Sequence, residues 1–125
     1  MVQTLQEFNK IYRYKSDFDK YSTNLDIWEV PEIVNGFVHS DCESYCRFLK
    51  SKIKGFEDWE YYYCKLGGNG HCILYKNGDV IDCNSRVVMS LDQYSRIYSI
   101  TELKKYSWFV IASKIAFAKV YTWVN

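Results

Sequence analysis

Proline is nearly absent from this chain: Pro31 stands alone among 125 residues, and glycine contributes only six. A proline- and glycine-rich disordered segment is thereby excluded. Neither sign of charge dominates, with 16 Lys and Arg against 15 Asp and Glu. A net charge of +1 supplies no broad field for a nucleic acid or an anionic membrane, so neither is an expected partner. No apolar run reaches the length of a membrane span. Residues 1–20 lack the apolar centre of a signal peptide, being interrupted by Glu7, Lys10, Arg13 and Lys15. A cytoplasmic protein is expected, one acting inside a host cell if it is phage-borne.

What is abundant is aromatic: 12 Tyr, 7 Phe and 4 Trp. That composition suits one packed domain spanning residues 1–125, a length that buries roughly two thirds of the unfolded surface. Five cysteines without an export signal are read as thiols, and their odd number leaves one unpaired in any disulfide scheme. Zinc is not expected. No Cys-x-x-Cys pair exists, and the neighbours His71 and Cys72 would point to opposite faces of a strand.

Three short stretches carry the chemistry: Ser40-Asp41-Cys42-Glu43-Ser44-Tyr45, Gly70-His71-Cys72 and Ile81-Asp82-Cys83-Asn84. From Cys42, the positions Tyr45, Phe48, Leu49, Ile53 and Phe56 follow a 3.6-residue period toward Gly55, and Ser40 with Glu43 forms a capping-box pattern. Cys42 then falls in the first turn of a helix. Unpaired N–H groups and the helix dipole there favour a thiolate and can receive an oxyanion. The polar neighbours suit an exposed helix mouth, whereas Cys46, Cys64, Cys72 and Cys83 read as small buried hydrophobes.

Asn77-Gly78 is a strong two-residue hairpin signal, and it fixes a register in which Leu74 faces Ile81, Tyr75 faces Val80 and Lys76 faces Asp79. Side-chain alternation then puts His71, Ile73, Tyr75, Val80, Asp82 and Asn84 on one face, with His71 diagonal to Asp82. Cys72, Leu74 and Ile81 take the other face as core. A diagonal gap of about 7–8 Å at the backbone is one that an imidazole and a carboxylate close with a hydrogen bond. His39 is a weaker base, having no carboxylate placed to orient it.

Elsewhere, Leu5, Phe8, Ile11 and Tyr12 predict a short helix capped by Thr4 and Glu7. The stretch from Ser16 to Asn35 reads as loop with short helical turns, and Trp59 to Lys65 as a strand. Arg86 to Met89 reads as β-like and Thr101 to Tyr106 as a helical turn. Trp108 to Ile111 and Ile115 to Trp123 read as strands. The expected fold class is α+β, with the nucleophile-bearing helix packed on an antiparallel sheet.

Together with Trp28 and Pro31, these motifs resemble those of the bacterial transglutaminase-like cysteine proteinases, across roughly residues 28–84. The chain departs from that pattern at Ser40, Ser44, Cys46 and Cys83. The resemblance implies a papain/transglutaminase-like core in which Cys42 is the nucleophile, His71 the general base and then acid, and Asp82 the residue holding the imidazole tautomer. It implies a thiol-dependent peptide or amide hydrolase acting through a thioester, with acyl transfer or deamidation as variants. No cofactor or metal is required, and the expected partner is a peptide or protein substrate. Pairing with histidine would take the thiol pKa from about 8.5 toward about 3.5. Asn35, Asn84 and Trp28 are further candidates for oxyanion or substrate contacts. A peptidoglycan endopeptidase of related fold and a catalytically lapsed peptide- or host-protein-binding module are the alternatives.

Overall fold

The side chains that alternate along one central strand sort the interior into two layers. In the computed structural model, which describes residues 2–21 and 27–124, this strand is β4 (Asn69–Lys76). Cys72 and Leu74 face one core, and Ile73 faces the other. β4 pairs with β3 (Glu60–Leu66) and with β5 (Asp79–Ile81), and β6 (Met89–Ser90) and β7 (Thr101–Lys105) close the sheet in the order β6-β5-β4-β3-β7. Every pairing in it is antiparallel. This is a small α+β domain of helices on an antiparallel sheet.

The larger core lies beneath α1 (Leu5–Ile11) and α3 (Cys42–Lys52). Thr4 and Glu7 close the expected capping box on α1, which satisfies N–H groups that a helix end leaves unpaired. Phe8 then stacks on Phe48 at 4.1 Å, and Tyr12 meets the Tyr45 ring edge-on at 4.8 Å. Burying side chains of this size stabilises the fold by about 1.5–3 kcal/mol each. Tyr12 opens β1 (Tyr12–Tyr14), which runs parallel to β2 (Val38–Ser40), and its hydroxyl donates to the Ser40 carbonyl at 2.6 Å. α1 thereby fixes the residue pair from which α3 departs. α2 (Asp17–Tyr21) lies between β1 and β2 in the chain.

The opposite face of the sheet is covered by α4 (Leu91–Tyr98), through Tyr94 on Cys64, Ile73 and Val80. The β4–β5 hairpin keeps the expected register, and Asn77 (φ 50°) and Gly78 (φ 87°) both adopt the left-handed conformation that its tight turn requires.

Four local expectations are corrected. Trp108 to Trp123 forms one helix, α5 (Trp108–Val124), and not two strands. Its apolar run is longer than most strands and contains Ala112, Ala116 and Ala118, strong helix formers. Thr101 to Lys105 is strand β7 rather than a helical turn, because β3 offers it a free edge. Arg86 to Val88 lies outside any strand, and only Met89–Ser90 pairs with β5. α3 is capped by Asp41, whose carboxylate accepts the Ser44 N–H at 3.2 Å, and it ends at Ile53 before Gly55 is reached.

Candidate functional site

Asp82 is held before it holds anything else. β5 ends at Ile81, and the chain turns so that the N–H groups of Asn84 (3.1 Å) and Ser85 (2.7 Å) donate to Asp82 Oδ1. Asn9, on α1, braces this turn by donating to the Arg86 carbonyl at 2.6 Å. The second oxygen, Oδ2, receives His71 Nε2 at 2.5 Å and the Tyr94 hydroxyl. Asp82 is fully buried, and burial alone would raise its pKa. The hydrogen bonds from His71, Ser85 and Tyr94 outweigh that and hold it below the ordinary carboxylate value.

An ionised carboxylate only accepts, so His71 Nε2 donates in this bond, and in the neutral tautomer that the bond selects Nδ1 is the acceptor. A fixed tautomer of this kind is what a general base needs. Tyr94 went unrecognised in the sequence. Its signal was present in the period of Leu91, Tyr94 and Tyr98 behind Ser90 and Gln93, where Ser90 caps the helix.

Cys42 is the first residue of α3, as expected, but it is only 8 % exposed and His71 only 7 %. The expected exposed helix mouth is replaced by a closed one. Ser40, Asp41 and Ser44 are buried as well, and their polarity is met internally: Ser44 Oγ donates to the Ile27 carbonyl at 3.2 Å. The thiol is pushed well above its ordinary pKa, first by burial and then by Glu43, Cys83 and Asp41. The backbone N–H of Cys72 opposes this to a lesser degree. Activation by a lowered pKa is therefore not what the resting structure provides, and low-dielectric burial beside carboxylates is the reason.

Cys42 shares its core with Cys46, Cys72 and Cys83, on the α3 side of β4. His71 meets Asp82 and Tyr94 on the α4 side. No hydrogen bond joins the Cys42 sulfur to the His71 ring among the described residues, although the backbone of Cys72, the residue after His71, reaches that sulfur.

Around Cys42, the carboxylates of Asp17, Asp41 and Glu43 lie within 4.8 Å of one another. Oxygen donors of this kind suit a hard divalent cation. Burial first and the charge of Glu43 next raise Asp41 to about 8. Tyr14, on β1, is a second residue that sequence reasoning passed over. Its side chain is more than half exposed, and partial desolvation first, then the charges of Cys42 and Asp41, raise its phenol.

The lesser candidates separate. Asn35 sits exposed in the turn between Val34 and Phe37 with φ 52°, away from any hydrogen bond to Cys42. Asn84 contributes its backbone N–H to Asp82 while its side chain is exposed. Trp28 is a core residue, fully buried between the rings of Tyr61 (5.3 Å) and Tyr106 (5.1 Å). His39 is exposed beside Phe37. Comparison with family models, curated proteins and solved structures found no match to this chain.

Proposed function

We propose that this protein is a thiol-dependent amide hydrolase of the transglutaminase-like cysteine proteinase kind, built on a reduced papain/transglutaminase-like core. The observation that carries the reading is the His71–Asp82 bond at 2.5 Å inside a carboxylate cage of four donors. A buried ionised carboxylate with Nε2 and Tyr94 on one oxygen and two backbone N–H groups on the other ties α4 to the sheet and also fixes the imidazole. On this reading the fixed ring leaves its Nδ1 to take a proton.

In the reaction, the Cys42 proton passes to His71 and the sulfur attacks an amide carbonyl, breaking the C=O π bond. The tetrahedral oxyanion is met by N–H groups of the first turn of α3. Collapse breaks the C–N bond as His71 returns its proton to the leaving nitrogen, and water then hydrolyses the thioester with His71 again as base. The resting thiol is neutral and enclosed on the α3 face of β4 while His71 lies on its α4 face, so on this reading the start of β4 at His71 must reorient on substrate binding before sulfur and imidazole meet. Proton transfer to His71 within that complex, rather than a standing thiolate, generates the nucleophile.

A second reading is supported by the raised thiol pKa and the missing Cys42–His71 bond: a module that keeps the fold and binds a peptide without cleaving it. A peptidyl acyloxymethyl ketone separates the two. The hydrolase reading expects a single adduct on Cys42, none in Cys42→Ala, and at least a hundredfold slower labelling in His71→Ala at equal thermal stability. Labelling of Cys42 at the wild-type rate in His71→Ala removes the hydrolase and leaves the binding module.

A further inference from the structure

Helix α5 is mostly apolar, interrupted by Ser113, Lys114, Lys119 and Thr122, and only part of its apolar surface is used. Ala118 is buried, and Ile111, Ile115 and Tyr121 lean on the α3-side core. The remaining arc faces outward, with Trp108 and Trp123 at its two ends 81 % and 85 % exposed and Phe109, Phe117 and Val120 exposed between them. A contiguous exposed apolar patch of this kind marks an interaction surface.

The patch continues beyond the helix. A hollow lined by Val34, Lys119, Thr122 and Trp123 connects α5 to the turn between Val34 and Phe37, where Ile33, Val34 and Phe37 are also exposed. Its far wall carries Glu29 and Glu32, of which Glu29 is paired with Lys20 at 2.7 Å.

Charge decides what the surface fits. From Leu103 to Asn125 the chain carries Lys104, Lys105, Lys114 and Lys119 and no acid, whereas all 15 Asp and Glu lie ahead of it. The near-neutral total, from which no membrane partner is expected, averages over this asymmetry. Lys105 is neutralised by Glu60 at 2.6 Å, and Lys104 and Lys114 lie over the rings of Tyr63 and Trp28. Lys119 is exposed at the margin of the apolar arc. Lys119 is thus the charge that α5 itself presents on this face, and no acid stands on the helix beside it. Among the described residues, no helix is long and apolar enough to cross a membrane.

We infer that the outer face of α5, with the apolar turn at Ile33–Phe37 beside it, docks the protein on an anionic lipid bilayer. The helix lies in the interfacial plane, with Trp108 and Trp123 at headgroup level and Lys119 toward lipid phosphate.

The test is flotation with vesicles of phosphatidylcholine alone and of phosphatidylcholine mixed with phosphatidylglycerol. Binding is expected to the anionic vesicles, with a blue shift of tryptophan emission and loss at high salt. Phe109→Ser combined with Val120→Ser, both at exposed positions, is expected to weaken it at least tenfold with the melting temperature kept. Lys119→Ala is expected to weaken it about fivefold. Three results overturn the inference: equal binding to neutral vesicles, anionic binding unchanged in the double variant, or no vesicle binding together with a dimer that the double variant dissolves.

Discussion

Tyr94 donates its hydroxyl to Asp82 Oδ2, the oxygen that also receives the His71 ring. The two donors approach from different elements, α4 and β4, so the aspartate ties the helix to the sheet at the end of the hairpin. Removing a donor from a buried ionised carboxylate costs about 1.5–3 kcal/mol, and Tyr94→Phe removes that donor with little change of shape. The loss has a pH signature. Asp82 titrates below its ordinary value of 3.8 in the fold, so its stabilisation is present above 3.8 and is lost as pH falls through the lower, folded value. Urea unfolding should therefore show the full defect at neutral pH and a shrinking one in acid. An equal defect at both would mean that the tyrosine acts through packing alone.

Asp41 gives the opposite slope. Its value rises from 3.8 when unfolded to about 8 in the fold, through burial first and the charge of Glu43 second. A raised acid stabilises below its unfolded value and loses that contribution as pH rises through the folded one. The contribution of Asp41 to wild-type stability should fall between about pH 4 and about pH 8. In Asp41→Asn the side-chain oxygen still caps Ser44, so the helix start is kept while the titration is removed. Thermal melts of this variant should be flatter across the window and higher than wild type at its alkaline end. Parallel profiles for the two proteins would place the slope elsewhere.

The hairpin and its His–Asp pair were legible because one dipeptide, Asn77-Gly78, fixes the register and strict alternation does the rest. Cys42 was legible as a helix start and illegible as a buried one. Its polar neighbours look solvated in sequence, yet Asp41 turns onto Ser44 N–H and Ser44 onto Ile27, partners that a linear reading does not supply. Alternation also carried an unread consequence. If Cys72 faces the helix that bears Cys42, then His71, its neighbour, faces away from it. In α5, a run such as Phe109-Val110-Ile111 satisfies strand propensity locally, and only the length of the whole segment and its alanines favour helix.

Trp28 tests the difference between a core residue and a substrate contact. Enclosed by Tyr61 and Tyr106, it leaves a large void when truncated, and Trp28→Ala should cost about 3–5 kcal/mol. Trp28→Phe should cost less, because much of the ring volume remains. Labelling of Cys42 by the peptidyl electrophile should proceed at the wild-type rate in the folded Phe variant. A slower rate at unchanged stability would return Trp28 to the substrate site.

The five cysteines make the closed resting state measurable. All are buried, and burial raises the thiols of Cys42, Cys46, Cys72 and Cys83, with Cys64 pushed up to about 11. An ordinary thiol is a few per cent thiolate at neutral pH, and each unit of added pKa lowers that about tenfold. Iodoacetamide, which brings no binding energy to open the site, should leave the native protein unmodified on the timescale that alkylates free cysteine. Five adducts should appear once the chain is unfolded, with the rate rising through the urea transition as the thiols are released. A peptidyl electrophile that labels Cys42 under the same native conditions would then show that occupancy of the site, and not the resting fold, brings the sulfur to His71. Rapid native alkylation of Cys42 by iodoacetamide would instead mean that the sulfur is already exposed and ionised, and the closed helix mouth would be wrong.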